Sequence, residues 1–97
     1  MKAIRIIPGQ RAEDIEVENS LEALQEVVGG YLDRKYLPVT NAMLLCDEDR
    51  RMKELDYNFR LMGDDYVGTA VIVGIDGENW CDVPITAERF EKYWLGR

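Results

Sequence analysis

The chain has 97 residues, a formal net charge of −7 and no histidine. This length supports one modest hydrophobic core, so we expect a single domain over residues 1–97. The acidic balance argues against direct nucleic-acid binding, because proteins that bind phosphate backbones concentrate lysine and arginine.

The N-terminal segments predict two short strands. Residues 2–7 and 14–17 alternate apolar with polar side chains, which is typical of half-buried strands, and Pro8-Gly9 marks a turn between them. We therefore expect an antiparallel pair.

The next segment predicts a helix. Apolar residues recur at helical spacing from Leu21 to Val28. Asn19 is a suitable N-cap with Glu22 three residues later, and Gly29-Gly30 can end the helix in a left-handed conformation. The helix is expected to start near Ser20.

The middle of the chain predicts two more strands and a long connection. Residues 31–37 alternate up to Pro38, and residues 42–46 form a short apolar run suited to a buried strand. Residues 47–65 are polar and poorly periodic. We expect this connection to display any binding residues, because loops on a rigid scaffold usually do so.

The C-terminal third predicts a central strand, a turn and a second helix. Residues 67–75 are apolar and rich in β-branched side chains, and Asp76-Gly77 favours a turn. Thr86 is a suitable N-cap for a helix. The fold class is therefore α+β, with about five mostly antiparallel strands packed by two helices in one compact domain.

The cysteines and the N-terminus indicate a cytoplasmic protein. Cys46 and Cys81 are the only cysteines, and the N-terminus lacks the apolar core of a signal peptide, so we expect both thiols to be reduced. No apolar run reaches the roughly 20 residues that a membrane span needs. We expect a soluble chain.

The chain resembles, nearly from end to end, a small family numbered 3846 among domains of unknown function, which occurs in phages and mobile elements of Gram-positive bacteria. The residues that carry the likeness are the opening Lys2-Ala3-Ile4-Arg5 with Pro8-Gly9, Ser20 to Gln25, Gly29-Gly30-Tyr31, the acidic turn after Cys46, the Asn58 and Arg60 region, and Gly68-Thr69. The resemblance implies a phage or mobile-element setting and no particular reaction. The chain departs from the family pattern by having Asp47-Glu48-Asp49-Arg50 where the family has Asn-Glu-Glu-Gly, and by Phe59 between Asn58 and Arg60.

Three residues are candidates for a small-ligand site. The amide of Asn58 and the guanidinium of Arg60 can read a base edge and hold a phosphate, and Arg11 lies beside the Pro8-Gly9 turn, where backbone amides can bind an anion. The alternative is that the arginines pair with nearby acids and that Pro8-Gly9 is only a turn.

We expect neither catalysis nor a cofactor. With no histidine, a base would have to be a carboxylate, a lysine, a tyrosine or a thiol, and no pair of base and nucleophile stands out by position. An apolar run around Cys46 would make its thiol inert. The acids from Asp47 to Asp49 lack the spacing of a calcium loop and are interpreted as a solvated turn, so no metal site is predicted. No catalytic residue is assigned.

The aromatic residues of the C-terminal segment leave two interpretations open. Phe90, Tyr93 and Trp94 follow at a spacing that places them on one helical face, with Trp80 nearby in the sequence. They form either part of the core or an exposed patch for a homodimer through the last helix.

Two functional hypotheses follow. The first is a non-catalytic binding module that acts against a host defence, either by binding a host protein or by sequestering a nucleotide-type ligand in a basic pocket of Arg11, Arg50, Arg51 and Arg60. The second is an acidic inhibitor that imitates nucleic acid and blocks a DNA-processing or restriction enzyme. Its carboxylates would be Glu13, Asp14, Glu16, Glu18, Asp47, Glu48, Asp49, Asp64 and Asp65.

Overall fold

The computed structural model describes residues 1–38 and 40–97. It confirms an α+β fold with a mostly antiparallel sheet and two helices. The strands are β1 (Lys2–Ile6), β2 (Glu13–Glu16), β3 (Leu32–Leu37), β4 (Ala42–Asp47), β5 (Tyr57–Leu61), β6 (Asp64–Val67), β7 (Ala70–Asp76) and β8 (Asn79–Cys81). The helices are α1 (Leu21–Val28) and α2 (Ala87–Phe90), and α2 continues as a π-helical segment (Glu91–Leu95).

The main sheet has the strand order β2-β1-β7-β4-β3, and β8 also pairs with β7. Every pairing in it is antiparallel. The apolar strands β4 and β7 lie inside the sheet, as expected for strands that are buried on both faces. The outer strands β2 and β3 carry most of the charges.

The N-cap of helix α1 lies one residue later than predicted. Ser20, not Asn19, is the N-cap, and its hydroxyl accepts a hydrogen bond from the Ala23 amide at 3.1 Å. Asn19 instead donates its side-chain amide to the Trp80 carbonyl, a partner that is distant in sequence. The predicted end is confirmed, because Gly29 is left-handed with φ 91° and its amide donates to Gln25.

One face of the sheet packs against α1. Leu24 and Val28 of the helix lie on Met43, Leu45 and the residues beside them on β7. Burying such aliphatic side chains stabilises the fold by roughly 1.5–3 kcal/mol each. At eight residues, α1 covers only part of this face.

The opposite face is covered by an antiparallel hairpin, β5 and β6, and by the C-terminal segment. Phe59 and Tyr66 of the hairpin stack with ring centroids 5.2 Å apart, and Phe90 of α2 is fully buried beside them. The molecule therefore has three layers: α1, the sheet, and the hairpin with the C-terminal segment.

The predicted central strand over residues 67–75 is confirmed as β7, which starts three residues later, at Ala70. Gly68 lies between β6 and β7. Its φ of 75° is in the left-handed region, which few residues other than glycine tolerate. The Asp76-Gly77 turn is confirmed and leads into β8, which pattern analysis missed. A Cβ atom on Gly74 would lie 2.1 Å from the Asp82 carbonyl oxygen, so this position needs glycine for β8 to approach β7.

The last helix packs two of its three predicted aromatic residues against the core. Thr86 is the N-cap, as predicted, and accepts from the Arg89 amide. Phe90 is buried and stacks with the half-buried Trp94, whereas Tyr93 is 69% exposed. The π-helical turn explains the difference, because its wider spacing moves Tyr93 off the buried face. Among the described residues, no helix is long and apolar enough to cross a membrane.

Candidate functional site

The connection from Asp47 to Asp65 is built differently from the predicted polar loop. It contains a 3-10 turn at Arg50–Met52 and then strand β5, which pairs with β6. Phe59 and Leu61 of β5 are buried against the sheet. Periodicity missed the hairpin because a β-bulge near Asn58 interrupts its alternation.

Asn58 is buried and holds the hairpin to the sheet by hydrogen bonds. Its side chain is 6% exposed, and its amide nitrogen donates to the carbonyls of Ile6 at 2.9 Å and Gly68 at 2.7 Å. Its Oδ1 atom has no hydrogen-bond partner in the part of the chain that the structure describes. Asn58 therefore joins β5 to β1 and to the end of β6.

Arg60 and Arg11 do not join Asn58 in one site. Arg60 is exposed and forms an ion pair with Asp65 at 3.2 Å. Arg11 lies in the connection between β1 and β2, where its charge acts on the buried Glu91. The structure thus gives the three predicted ligand residues three different surroundings.

The sequence indicated a solvated acidic turn at the end of β4, but the turn is not fully solvated, because Asp47 is buried in an ion pair with Lys53. Asp47 is 4% exposed, and its carboxylate accepts hydrogen bonds from Lys53 Nζ and the Asp49 amide. Burial acts to raise the pKa of Asp47, but these two donors outweigh it and hold the pKa below its ordinary value. Within residues 1–38 and 40–97, no group of three or more acidic, cysteine or histidine side chains is placed to hold a metal ion.

The thiol of Cys46 is buried in the hydrophobic core beside the ion pair of Arg50 and Asp33. Burial raises its pKa to about 11, so the thiolate is scarce at neutral pH. The neighbouring Arg50 donates to Asp33 at 2.8 Å and lies over the Tyr66 ring at 5.6 Å. These contacts tie the β3–β4 pair to the hairpin, which is a structural role.

One concave surface lies beside the first turn of α1. We call it the α1 groove; its volume is about 690 Å³. Its walls come from α1, three strands of the sheet and β8. The groove is lined by Asn19, Leu21, Arg34, Tyr36, Met43, Ile75, Gly77, Glu78, Asn79 and Trp80.

Half of the ten residues that line the α1 groove are apolar or aromatic, namely Leu21, Tyr36, Met43, Ile75 and Trp80. Met43 lies on the floor, Leu21 is 43% exposed and Tyr36 is 68% exposed. The Arg34 guanidinium lies 5.2 Å from the centre of the Trp80 ring, which fixes both side chains by a cation–π contact. Aromatic residues, methionine and arginine are the types enriched in the centres of protein interfaces.

Sequence reasoning missed this groove, apart from singling out Trp80. Its residues are spread from position 19 to position 80, so no local pattern joins them. The alternation of β3 does place Arg34 and Tyr36 on one face, and that signal indicates a shared surface without saying what stands beside it.

A second depression, of about 600 Å³, lies between the β1–β2 pair and the segment that leads into α2. Its apolar lining is aliphatic, with Ala3, Ile15, Val83 and Ile85. It has no aromatic residue, so it matches the composition of an interface centre less well than the α1 groove does.

Comparison with known families places the chain in a group without an assigned activity. The family model for DUF3846, a domain of unknown function, matches residues 1–95. The chain belongs to the DUF3846 family. Searches of curated proteins and of solved structures gave no significant match. Membership accounts for nearly the whole chain and leaves its function to be argued from the fold.

Proposed function

We propose that this DUF3846 domain is a non-catalytic binding module that holds a partner protein in the α1 groove. The single observation that carries the proposal is the composition of that groove, where Leu21, Tyr36 and Trp80 surround an apolar floor. Such a surface can desolvate an apolar side chain of a partner, which is the main source of affinity at most interfaces.

A protein partner suits the groove better than a nucleotide does. Arg34 is the only cation among the groove residues, and it is already stacked on Trp80. Of the four arginines that a basic pocket would need, Arg50 pairs with Asp33 and Arg60 with Asp65. A phosphate group would have to displace these carboxylates.

The acidic-mimic alternative has less support. Asp64 and Asp65 pair with Lys35 and Arg60, and Glu13 pairs with Arg5. Paired carboxylates present less net negative potential than a row of phosphates would. The partner in our proposal is a host protein met in the phage or mobile-element setting, where binding would counter a host defence.

The test compares two variants that each place a glutamate at an apolar surface position. Leu21→Glu introduces a charge into the groove at the first turn of α1, where an acidic residue is tolerated. Met52→Glu is the matched control, because Met52 is 88% exposed and lies outside the groove. We expect Leu21→Glu to weaken binding at least about tenfold and Met52→Glu to leave it unchanged.

The measurement is affinity capture from a Gram-positive lysate, followed by titration of any protein that the wild type and the Met52→Glu variant both retain. A thermal-denaturation panel of cyclic dinucleotides, ADP-ribose derivatives and nucleotides runs beside it, because a native-state ligand raises the midpoint. A nucleotide shift that Arg60→Ala abolishes would replace the protein partner with a small ligand. Equal capture by both variants would remove the groove from the interface.

A further inference from the structure

The outer edge of β3 is an open row of backbone groups. The Glu48 amide donates to the Tyr31 carbonyl, so the odd-numbered residues of β3 bond to β4. The Arg34 amide points the other way and donates to the side chain of Asp33. Leu32, Arg34 and Tyr36 therefore direct their amides and carbonyls outward, and no other described backbone group bonds to them there.

The two edges of the sheet differ in protection. Strand β2 has four residues, three of them acidic, and like charges discourage pairing with another strand. Strand β3 has six residues with both signs of charge. Tyr31 before it is 66% exposed and Tyr36 within it is 68% exposed. A long edge with exposed aromatic side chains is a template for strand addition.

The order of side chains along β3 is complementary to itself. When a second copy runs antiparallel with the twofold axis at Arg34, Asp33 lies opposite Lys35 of the other copy, and Leu32 opposite its Tyr36. Each of these pairs occurs twice by symmetry. Opposite charges and apolar–aromatic contacts are the favourable cross-strand pairs.

We propose that a second copy of this chain binds at β3, so that the two sheets join into one across a twofold axis at Arg34. The outward residues then exchange both hydrogen bonds with each other, which the alternation of antiparallel pairs requires. The Arg34 amide changes partner from the Asp33 carboxylate to the opposing Arg34 carbonyl. The freed carboxylate oxygen of Asp33 then faces Lys35 across the interface.

Neighbouring registers are less favourable. An axis at Asp33 sets two Asp33 carboxylates opposite each other, and an axis at Lys35 sets two ammonium groups opposite each other, in the closer type of cross-strand pair. The Arg34 axis also leaves one like-charged pair, but in the wider type of pair, and each guanidinium is held over its own Trp80. This register overlaps five of the six residues of β3, as many as the Lys35 axis does and more than the three of the Asp33 axis.

The joined sheet would carry two α1 grooves on the same face. Side chains in a hydrogen-bonded cross-strand pair point to one side of a sheet, and Arg34 and Tyr36 both line the groove. A dimeric or repetitive partner would then be bound bivalently, with avidity above that of one groove. This consequence rests on the proposed function, whereas the dimer itself does not.

The experiment measures self-association with no partner protein present, so its failure leaves the groove proposal standing. Sedimentation equilibrium of the wild type should show a dimer that dissociates on dilution. In a homodimer of the Arg34→Glu variant, two glutamates face each other on the axis. In a mixed dimer with the wild type, a glutamate faces an arginine. Native mass spectrometry of the equimolar mixture should show heterodimer above the statistical proportion, by about threefold.

A blocking variant and a matched control complete the design. Tyr36→Pro removes an outward amide that β4 does not use, so it should abolish the dimer and leave the far-ultraviolet circular dichroism unchanged. Tyr93→Ala removes an equally exposed tyrosine from the last helix and should leave the dimer intact. If Tyr36→Pro does not fold, the heterodimer proportion decides alone.

Three results would overturn the proposal. A wild type that stays monomeric at millimolar concentration leaves the edge without a second copy. Statistical mixing of Arg34→Glu with the wild type removes the axis from Arg34. Loss of the dimer in Tyr93→Ala, with a folded Tyr36→Pro that still dimerises, places the interface on the last helix.

Discussion

At the scale of single residues, the most consequential group is the buried carboxylate of Glu91. Its side chain is 1% exposed, and it accepts hydrogen bonds from the Ala12 amide and from Arg97 Nε, the latter at 2.8 Å. Burial acts to raise the pKa of Glu91, but the donors outweigh it and hold the pKa below its ordinary value. A single carboxylate thus joins the β1–β2 connection to the C-terminal segment.

Removal of Arg97 tests this role. Arg97→Ala leaves a buried anion without the Nε and Nη2 donors of Arg97, and we expect the free energy of unfolding to fall by about 1–2 kcal/mol, because the partial exposure of Arg97 reduces the full effect. Urea denaturation at one protein concentration measures it. Lys92→Ala, in the same segment but not bonded to Glu91, should change stability by less than about 0.5 kcal/mol. Equal losses in both variants would contradict the assignment.

At the scale of elements, the hairpin of β5 and β6 depends on contacts that are distant in sequence. Asn58 bonds to the carbonyls of Ile6 and Gly68, and Phe59 and Tyr66 fill the space above the sheet. The residue types at Asn58 and Arg60 suit a ligand site equally well. The two residues differ in burial, because Asn58 is buried and Arg60 is exposed. Which of them is buried depends on which strand the hairpin covers.

The pair Asn58→Ala and Arg60→Ala separates a structural from a surface role. Asn58→Ala leaves two buried carbonyls with one donor fewer each, and we expect a loss of about 2–4 kcal/mol in the free energy of unfolding. Arg60→Ala removes only an exposed ion pair and should change stability by less than about 1 kcal/mol. Both are measured by urea denaturation. A greater loss for Arg60→Ala would show that the exposed pair has been undervalued.

At the scale of the whole molecule, the distribution of charge predicts the pH range of stability. The pKa values of Asp47, Asp64 and Glu91 all lie below their ordinary values, Asp64 because Lys35 donates to it. A carboxylate with a lower pKa in the folded state stabilises the fold above its ordinary pKa, and this contribution is lost as the pH falls through the folded value.

We therefore expect stability to be nearly constant between about pH 6 and 7.5 and to fall below about pH 4.5. The chain contains no histidine, so no side chain with an unperturbed pKa titrates in the upper range. Urea midpoints measured across this range test the expectation. Glu91→Gln should reduce the loss of stability at acidic pH in part. A steep change of stability near pH 6.5 in the wild type would contradict the expectation.

The local elements could be predicted from sequence because their signals are local. The cap region of α1, the Gly29 end, the alternation of β3 and the Thr86 cap each lie within a few residues of the structure that they produce. Strand β8 was not predicted, because three residues are too few to show a period. The hairpin escaped because a bulge shifts its alternation.

The sequence by itself determined the α+β class, most of the main-sheet strands and both helices, since hydrophobic period and cap chemistry act over one or two turns or strands. Tertiary structure alone decided that Asn58 is buried, that Trp94 turns inward, and that the α1 groove forms from five separate elements. It also decided that β3 lies at an edge of the sheet, where its backbone is open to pairing with another strand. These outcomes depend on strand order and on which layer covers which face, and both follow from long-range packing, which no local pattern specifies.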